Sequence, residues 1–313
     1  MGFGAAGVNP LRGIMLKLGS VVVFVVMAAL IKASAATIPP GQQVFFRSAF
    51  AVPVILIWLV RRGELSVGLR VASPMGHVWR GLVGTAAMGF GFAGLGLLPL
   101  PEVTAIGYAA PLLTVIFAAM FLGEDVRLFR LSAVALGMVG VLIVLAPRLN
   151  AVGEGLSAAR TLGAVVTLIG AVLAALAQIF IRKLVQGERT SAIVFWFSIS
   201  AAGLSLVTLP FGWVWPDART LALLVGAGLL GGLAQILLTS AYRYADASLV
   251  APFEYASMLF ALGIGYAVFH EVPAPTMLLG AGIVIAAGVL IIWRERRLGI
   301  ERSRQRKAMT PQG

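Results

Sequence analysis

The chain has no cysteine and only two histidines among 313 residues. The first absence excludes disulfides, thiolate nucleophiles and Cys-based metal sites. The second, with His77 and His270 far apart in sequence, argues against a metal centre of any kind. Charge is also scarce: 12% of the residues are Asp, Glu, Lys or Arg, about half the share of a typical water-soluble domain. The 12 acidic residues are scattered, so the clustered carboxylates or Ser/His/Asp spacing of a membrane-embedded enzyme are missing. No Walker A sequence occurs, which excludes ATP hydrolysis by the P-loop route. Strand alternation of the barrel kind is absent too. The expectation is a chain with no enzymatic activity, no cofactor and no metal.

What the chain has in abundance is apolar residues, 60% of the total, with a mean hydropathy of +0.98. Val21 to Ile31 and Ala133 to Ala146 contain no polar side chain. In hydrocarbon only helices and closed barrels satisfy their own backbone, so these runs read as membrane-spanning helices. Ten such segments follow one another between Ile14 and Trp293, separated by short connections rich in Pro and Gly. Within the first, the apolar run from Leu18 to Ile31 is preceded by Arg12 and Lys17 and followed by Ala33-Ser34-Ala35, which imitates a signal-peptide cleavage site. Its length and its counterpart later in the chain favour a retained helix.

A net charge of +12 raises nucleic acid as a partner, but the placement of the charge argues for membrane topology instead. With ten spans, 19 of the 24 Lys and Arg residues fall on the side of the two termini. The positive-inside bias then puts both termini in the cytoplasm. The expected location is the inner membrane, multi-pass, with the lipid bilayer as a partner. A homodimer is a further partner that the sequence allows.

The chain also contains itself twice. Tyr108, Pro111 and the Gly123-Glu124 pair lie about 147 residues before Tyr255, Met258 and the His270-Glu271 pair. Gly84 falls on Gly231 at the same offset, and Arg47 falls on Phe197 at an offset of about 150. Two repeats in ten spans make five spans each. Five is odd, so the repeats face opposite ways. The expected fold is an all-α membrane protein with ten transmembrane helices arranged as a 5+5 inverted repeat. Its parts are a first five-helix repeat in residues 1–150, a second in 151–295 and a basic cytoplasmic tail in 296–313.

A few polar residues lie inside the apolar segments, where such residues usually face a cavity. Glu254 stands out, about two turns into its helix, as a substrate ligand and as the titrating group of a proton-coupled cycle. The competing role is a hydrogen bond to a neighbouring helix. Tyr108 and Tyr255 either flank a solute or belong to an interfacial aromatic belt. Gln178 and Gln235 either bind solute or join helices. Arg47 either attracts a substrate carboxylate or pairs with Glu102. Trp196 completes the substrate-binding set, although packing is its simpler role. Pro111 and Pro252 free backbone carbonyls or simply kink their helices. Glu124 and Glu271, at helix ends, accept hydrogen bonds from the next helix or act as gates. The run Gly89-Phe90-Gly91-Phe92-Ala93-Gly94 matches G-x-G-x-x-G but has no strand before it, so it reads as a helix-packing surface rather than a nucleotide site.

The pattern of Pro111 with Gly123-Glu124, Pro252 with Glu271, and Arg47 opening the second helix resembles the EamA-type module of the drug/metabolite transporter superfamily. The resemblance runs from Ile14 to about Trp293. It implies ten helices around a central cavity lined mainly by the first, third, fourth, sixth, eighth and ninth. It also implies a secondary active transporter of a small organic metabolite, such as an amino acid, riboflavin or S-adenosylmethionine, working by alternating access. The second repeat departs from the first in having Phe197 in place of an arginine and His270 in place of a glycine. A membrane-embedded enzyme and a non-transporting scaffold are the alternatives. Direction of flow, coupling ion and substrate stay open.

Overall fold

The computed structural model describes residues 10–123, 128–149, 156–184, 187–244 and 251–309. All regular structure among them is helical. Helix α1 covers Pro10–Ser34, α2 Pro40–Ala49, α3 Ala51–Arg61, the single turn α4 Leu65–Gly68 and α5 Pro74–Leu97. Then follow α6 (Leu100–Gly107), α7 (Ala109–Leu122), α8 (Leu128–Leu149), α9 (Leu156–Leu184) and α10 (Thr190–Ser205). Last come α11 (Ala218–Tyr244), a 3-10 turn over Ala251–Tyr255, α12 (Ala256–Phe269) and α13 (Pro275–Met309). Six stretches are long and apolar enough to cross a membrane: Leu11–Ser34, Pro40–Arg61, Leu100–Leu122, Ala158–Ile181, Thr190–Thr208 and Ala218–Leu238. Shorter apolar helices cover Leu131–Pro147, Phe253–Phe269 and Pro275–Ile291. The chain is therefore a multi-pass helical membrane protein.

Helix starts are set by proline. Pro10, Pro40, Pro74 and Pro275 are each the first residue of a helix, where the missing N–H loses nothing and the fixed φ is already helical. The apolar runs alone place the first three of these starts later, at Ile14, Val44 and Val78. Two of the expected spans are broken. The second divides at Phe50 into α2 and α3. The fourth divides at Tyr108 (φ −66°, ψ −8°) into α6 and α7. Pro111 has no N–H for the Gly107 carbonyl four residues back, which accounts for α6 ending at Gly107. In the other half the 3-10 turn meets α12 at Tyr255 with nearly the same backbone, φ −67° and ψ −15°. Related helix ends match as well. Gly123 closes α7 at φ 65° and His270 closes α12 at φ 54°. Each is a left-handed cap whose N–H reaches a carbonyl one turn back, that of Ala118 or Gly265.

The helices pack in pairs. α1 lies along α11, α5 along α9, α8 along α13, and α2 against α10. Small residues let backbones approach, the usual device where lipid removes any hydrophobic drive between helices. A Cβ at Gly140 would stand 2.7 Å from the Gly280 carbonyl oxygen, and one at Gly280 would stand 2.6 Å from that of Gly140. α8 and α13 therefore touch backbone to backbone. The glycine run of α5 serves the same end: a Cβ at Gly170 of α9 would meet the Gly91 nitrogen at 3.1 Å. One apolar core surrounds Tyr108, Leu112, Val141 and Val284, and a second surrounds Ile31, Val44, Phe92 and Ala227.

Contacts at the helix ends define two ends of the bundle. At one, called here the basic end, the Arg12 guanidinium carbon lies 4.2 Å from the Tyr244 ring centre. Ser191 Oγ donates to the Gly68 carbonyl at 2.8 Å. At the far end Gln42 grips Val214 through both backbone groups, at 2.7 and 3.1 Å. There Asp217 precedes α11 and accepts from the Thr220 amide at 2.6 Å. That hydrogen bond holds the exposed Asp217 carboxyl below its usual range.

Candidate functional site

α1 and the 3-10/α12 unit lie side by side and are joined near both ends by ion pairs. Towards the basic end Lys17 Nζ pairs with Glu254 Oε2. Lys17 sits seven residues past Pro10, about 10 Å into α1, and is buried, whereas the Glu254 side chain is half exposed. At the far end Lys32 Nζ lies 2.9 Å from Glu271 Oε1. Lys32 also donates to the Leu98 carbonyl at 2.6 Å. Glu271 Oε2 accepts from the Leu100 amide at 2.8 Å. Glu271 thus caps α6, a helix of the other half, and its lysine caps the end of α5. Charge placement alone reads Lys17 and Lys32 as topology markers. Both are instead partners of the acidic residues expected to matter.

Tyr108 and Tyr255 meet between these two pairs at the related helix breaks. Their ring centres are 5.1 Å apart, edge to face. Tyr108 Oη is 2.6 Å from Ser257 Oγ, and Ser257 donates to the Glu254 carbonyl at 2.7 Å. Both tyrosines are buried. The rings fill the space between the two halves, and the hydroxyl of Tyr108 is tied to the segment that carries Glu254. Close packing is strict here, because a Cβ at Gly288 would collide with Tyr255 Oη.

The remaining candidates lie apart from this centre. Arg47 is buried on α2 beside Phe197. Its Nε and Nη1 meet no acceptor, so the expected pairing with Glu102 does not form. Trp196 Nε1 donates to the Leu69 carbonyl at 3.0 Å and its ring packs edge-on against Phe195. It ties α10 to the segment after α4. Gln178 is exposed on α9 and Gln235 half-buried on α11. Pro111 is exposed in the first turn of α7. Pro252 lies within the 3-10 turn. Glu124 lies outside the described residues.

A cavity of about 560 Å³ opens between α1, α11 and α12 near the far end. Val26, Leu30, Leu223, Ile264 and Phe269 make its apolar wall, with Asp217, Arg219 and Thr220 at its rim. None of the candidate side chains lines it. Of the helices the resemblance implies, the first, eighth and ninth contribute. Its wall is mainly apolar, so the ion pairs and tyrosines define the candidate site. Among the described residues no cluster of His, Cys, Asp and Glu could hold a metal ion.

At the basic end His77 Nε2 lies 3.3 Å from Glu188 Oε1, off the line of a good hydrogen bond. Glu188 also accepts from the amides of Ala72 and Ser73, each at 2.7 Å. Burial pushes this carboxyl up, but the two amides and the imidazole together hold it below its ordinary value.

Residues 11–146 and 161–293 match the EamA-like transporter family. A pseudopaline exporter, CntI, of Pseudomonas aeruginosa is 32% identical over 285 residues, which is 90% of this chain and 93% of the relative. An S-adenosylmethionine uptake transporter of Rickettsia bellii is 30% identical over 256 residues, 82% of this chain and 84% of its own length. A riboflavin transporter of Rhizobium johnstonii is 29% identical, with 83% of each chain covered. One solved crystal structure superposes with a TM-score of 0.67 at 23% identity, covering 91% of this chain and 97% of that one. It speaks to the fold.

Proposed function

The chain belongs to the EamA-like transporter family, and on that premise we propose that it is a secondary active transporter moving a small organic metabolite across the inner membrane by alternating access. The two repeats, residues 1–150 and 151–295, form a 5+5 inverted arrangement of ten spans with both termini and the basic tail in the cytoplasm. Three matches between the halves support this reading. The pairing of α1 with α11 corresponds under the repeat to that of α5 with α9. The breaks at Tyr108 and Tyr255 share one backbone conformation. The left-handed caps at Gly123 and His270 fall at equivalent positions.

One observation carries the mechanism: a single pair of neighbouring helix units bears an ion pair near each end. Opening either end separates one pair while the other holds the units together. Glu254 is the working group because its carboxylate is half exposed while its lysine is buried. Water, a proton or a substrate ammonium can compete for it. A proton on Glu254 removes the attraction to Lys17 and frees the basic end, which makes the cycle proton-coupled. Tyr108 and Tyr255 act as the hinge between halves.

The substrate class is a partly apolar metabolite: an amino acid, or a vitamin or cofactor such as riboflavin or S-adenosylmethionine. Direction does not follow from likeness, since an exporter and an uptake transporter are almost equally similar to this chain. The test is flux in proteoliposomes loaded with a mixed metabolite extract, with and without an imposed pH gradient. Wild-type protein is expected to move at least one solute faster than empty liposomes, and Glu254→Gln is expected to lose the pH-dependent part. No flux of any solute would return the chain to the scaffold or enzyme readings.

A further inference from the structure

Two arginines of the first half lie buried with no acid beside them. Arg47 on α2 is 4% exposed and Arg80 on α5 is 7% exposed. Nε and Nη1 of each have no hydrogen-bond partner. Among the described residues neither forms a salt bridge. Both face the same ring: the guanidinium carbon of Arg80 lies 3.8 Å and that of Arg47 6.0 Å from the centre of Phe197 on α10. Sharing that ring places the two guanidiniums within about 10 Å of each other. A guanidinium does not shed its proton to relieve such a position. Two like charges out of water with open donors are strongly unfavourable unless an anion joins them.

The surroundings are shaped for these cations. A Cβ at Gly84 would collide with Arg80 Nη1 and stand 2.8 Å from Phe197. A Cβ at Gly231 would stand 3.0 Å from Arg47 Nε. Gly84 and Gly231 are equivalent in the two repeats, so the same glycine position makes room for one arginine on each side. Phe197 is the repeat counterpart of Arg47 itself. One half thus supplies both cations and the other supplies the ring on which they rest.

Depth bears on the kind of anion. Arg47 is seven residues from Pro40 at the far end and Arg80 six from Pro74 at the basic end. At 1.5 Å per residue each lies about 10 Å inside the bundle from opposite ends, with Arg80 reaching further inward toward Gly84. Both side chains are enclosed by protein at that depth, so a lipid headgroup outside the bundle does not reach them in this conformation.

We propose that Arg47 and Arg80 form an internal oxyanion site that takes the carboxylate of the transported metabolite. The proposal rests on the transporter reading and narrows its substrates to those carrying a carboxylate. The open N–H donors of two guanidiniums suit a carboxylate, which accepts through both oxygens. In the conformation described the site is closed, so the carboxylate enters when α2 and α10 part. Glu254, in the 3-10 turn and paired with Lys17 in this conformation, is left to exchange its lysine for a cationic part of the same solute.

Binding can be read without transport. Full-length protein in an uncharged detergent is melted with benzoate, with inorganic phosphate, with the neutral analogue benzamide, or with phosphatidylglycerol. Benzoate is expected to raise the melting midpoint by a few degrees and benzamide to leave it unchanged. Arg47→Gln and Arg80→Gln are each expected to raise the midpoint of the ligand-free protein, since a lone buried charge is removed, and to weaken benzoate binding roughly tenfold or more. Arg80→Lys keeps the charge and is expected to keep part of the benzoate effect. Equal effects of benzoate and benzamide, or stabilisation by phosphatidylglycerol alone, would overturn the site. So would stabilisation by phosphate alone, or benzoate binding unchanged in both Gln variants. Flux of carboxylate-free solutes in the same preparation would leave the transporter reading standing while this one fell.

Discussion

The two ion pairs between α1 and the 3-10/α12 unit differ in how deeply each is tied in. At the far end both members are largely buried, with 14% and 15% of their side chains exposed. Both have further partners, the Leu98 carbonyl and the Leu100 amide, and the Phe269 ring centre lies 5.5 Å from Lys32 Nζ. At the basic end the lysine is buried but 49% of the Glu254 side chain is open. A buried pair with its remaining donors and acceptors met is a fastening, difficult to open without leaving several groups unsatisfied. A pair whose carboxylate is already wet can be exchanged at low cost. In the conformation described, the far end is the locked one and the basic end the one poised to open.

The largest effect expected from this contrast is on transport. Glu254→Gln should lower proteoliposome flux roughly a hundredfold while the purified protein stays monodisperse; it leaves the buried Lys17 without its charge partner, but the loss of stability should stay at about 1 kcal/mol because the carboxylate replaced is half exposed. Glu271→Gln should reverse the order. The neutral amide leaves Lys32 without its charge partner and weakens the cap of α6, so stability should fall by about 2 kcal/mol. Residual transport should exceed that of Glu254→Gln. If both variants lose flux equally and melt alike, the two ends are equivalent and the locked-end account fails.

The residues behind this contrast were only partly legible in the sequence. Glu254 and Glu271 stand out because a carboxylate in or beside an apolar run asks for an explanation. Lys17 and Arg80 do not, because both sit within the first turn of the apolar segments beginning near Ile14 and Val78. With the helices starting at Pro10 and Pro74 instead, both residues lie a turn deeper, inside the bundle. Proline at the first helical position was the available signal. The matched tyrosines and glycines were visible as repeats, but contact between the rings of Tyr108 and Tyr255 was not. It depends on the helix breaks, and only the break at Tyr108 has a local cause, in Pro111. The unpaired state of Arg47 was beyond sequence, since it depends on where Glu102 points.

A smaller effect sharpens the description of the basic end. Glu188 fastens the segment before α5 through Ala72 and Ser73, and its carboxyl is held below the ordinary carboxylate range. A group with a lowered native pKa contributes stability that is present above its unfolded value and is lost as pH falls through the native one. Wild type should therefore lose more stability on acidification below about 4.5, the unperturbed value for Glu188, than Glu188→Gln does. Thermal melts at neutral pH and at mild acidity read the difference. If the basic end opens through this fastening rather than through Glu254, Glu188→Gln should also alter flux at neutral pH, whereas unchanged flux keeps the gate at Glu254.

The smallest effect tests the far-end fastening through its backbone. His270 adopts φ 54° where the equivalent residue of the first half, Gly123, has φ 65°. A residue with a Cβ is strained there by about 1 kcal/mol, and glycine is not. The turn is what directs Glu271 back to the Leu100 amide, since the Glu271 N–H itself closes on the Gly265 carbonyl at 2.9 Å. His270→Gly should relieve the strain and lose part of that gain to the greater freedom of the unfolded chain. The net expectation is a gain of about 0.5 kcal/mol or less, with flux unchanged. Gly123→His, the mirror substitution, should destabilise by a similar amount. Loss of stability in His270→Gly would mean that the imidazole, rather than the left-handed turn, holds the far end closed.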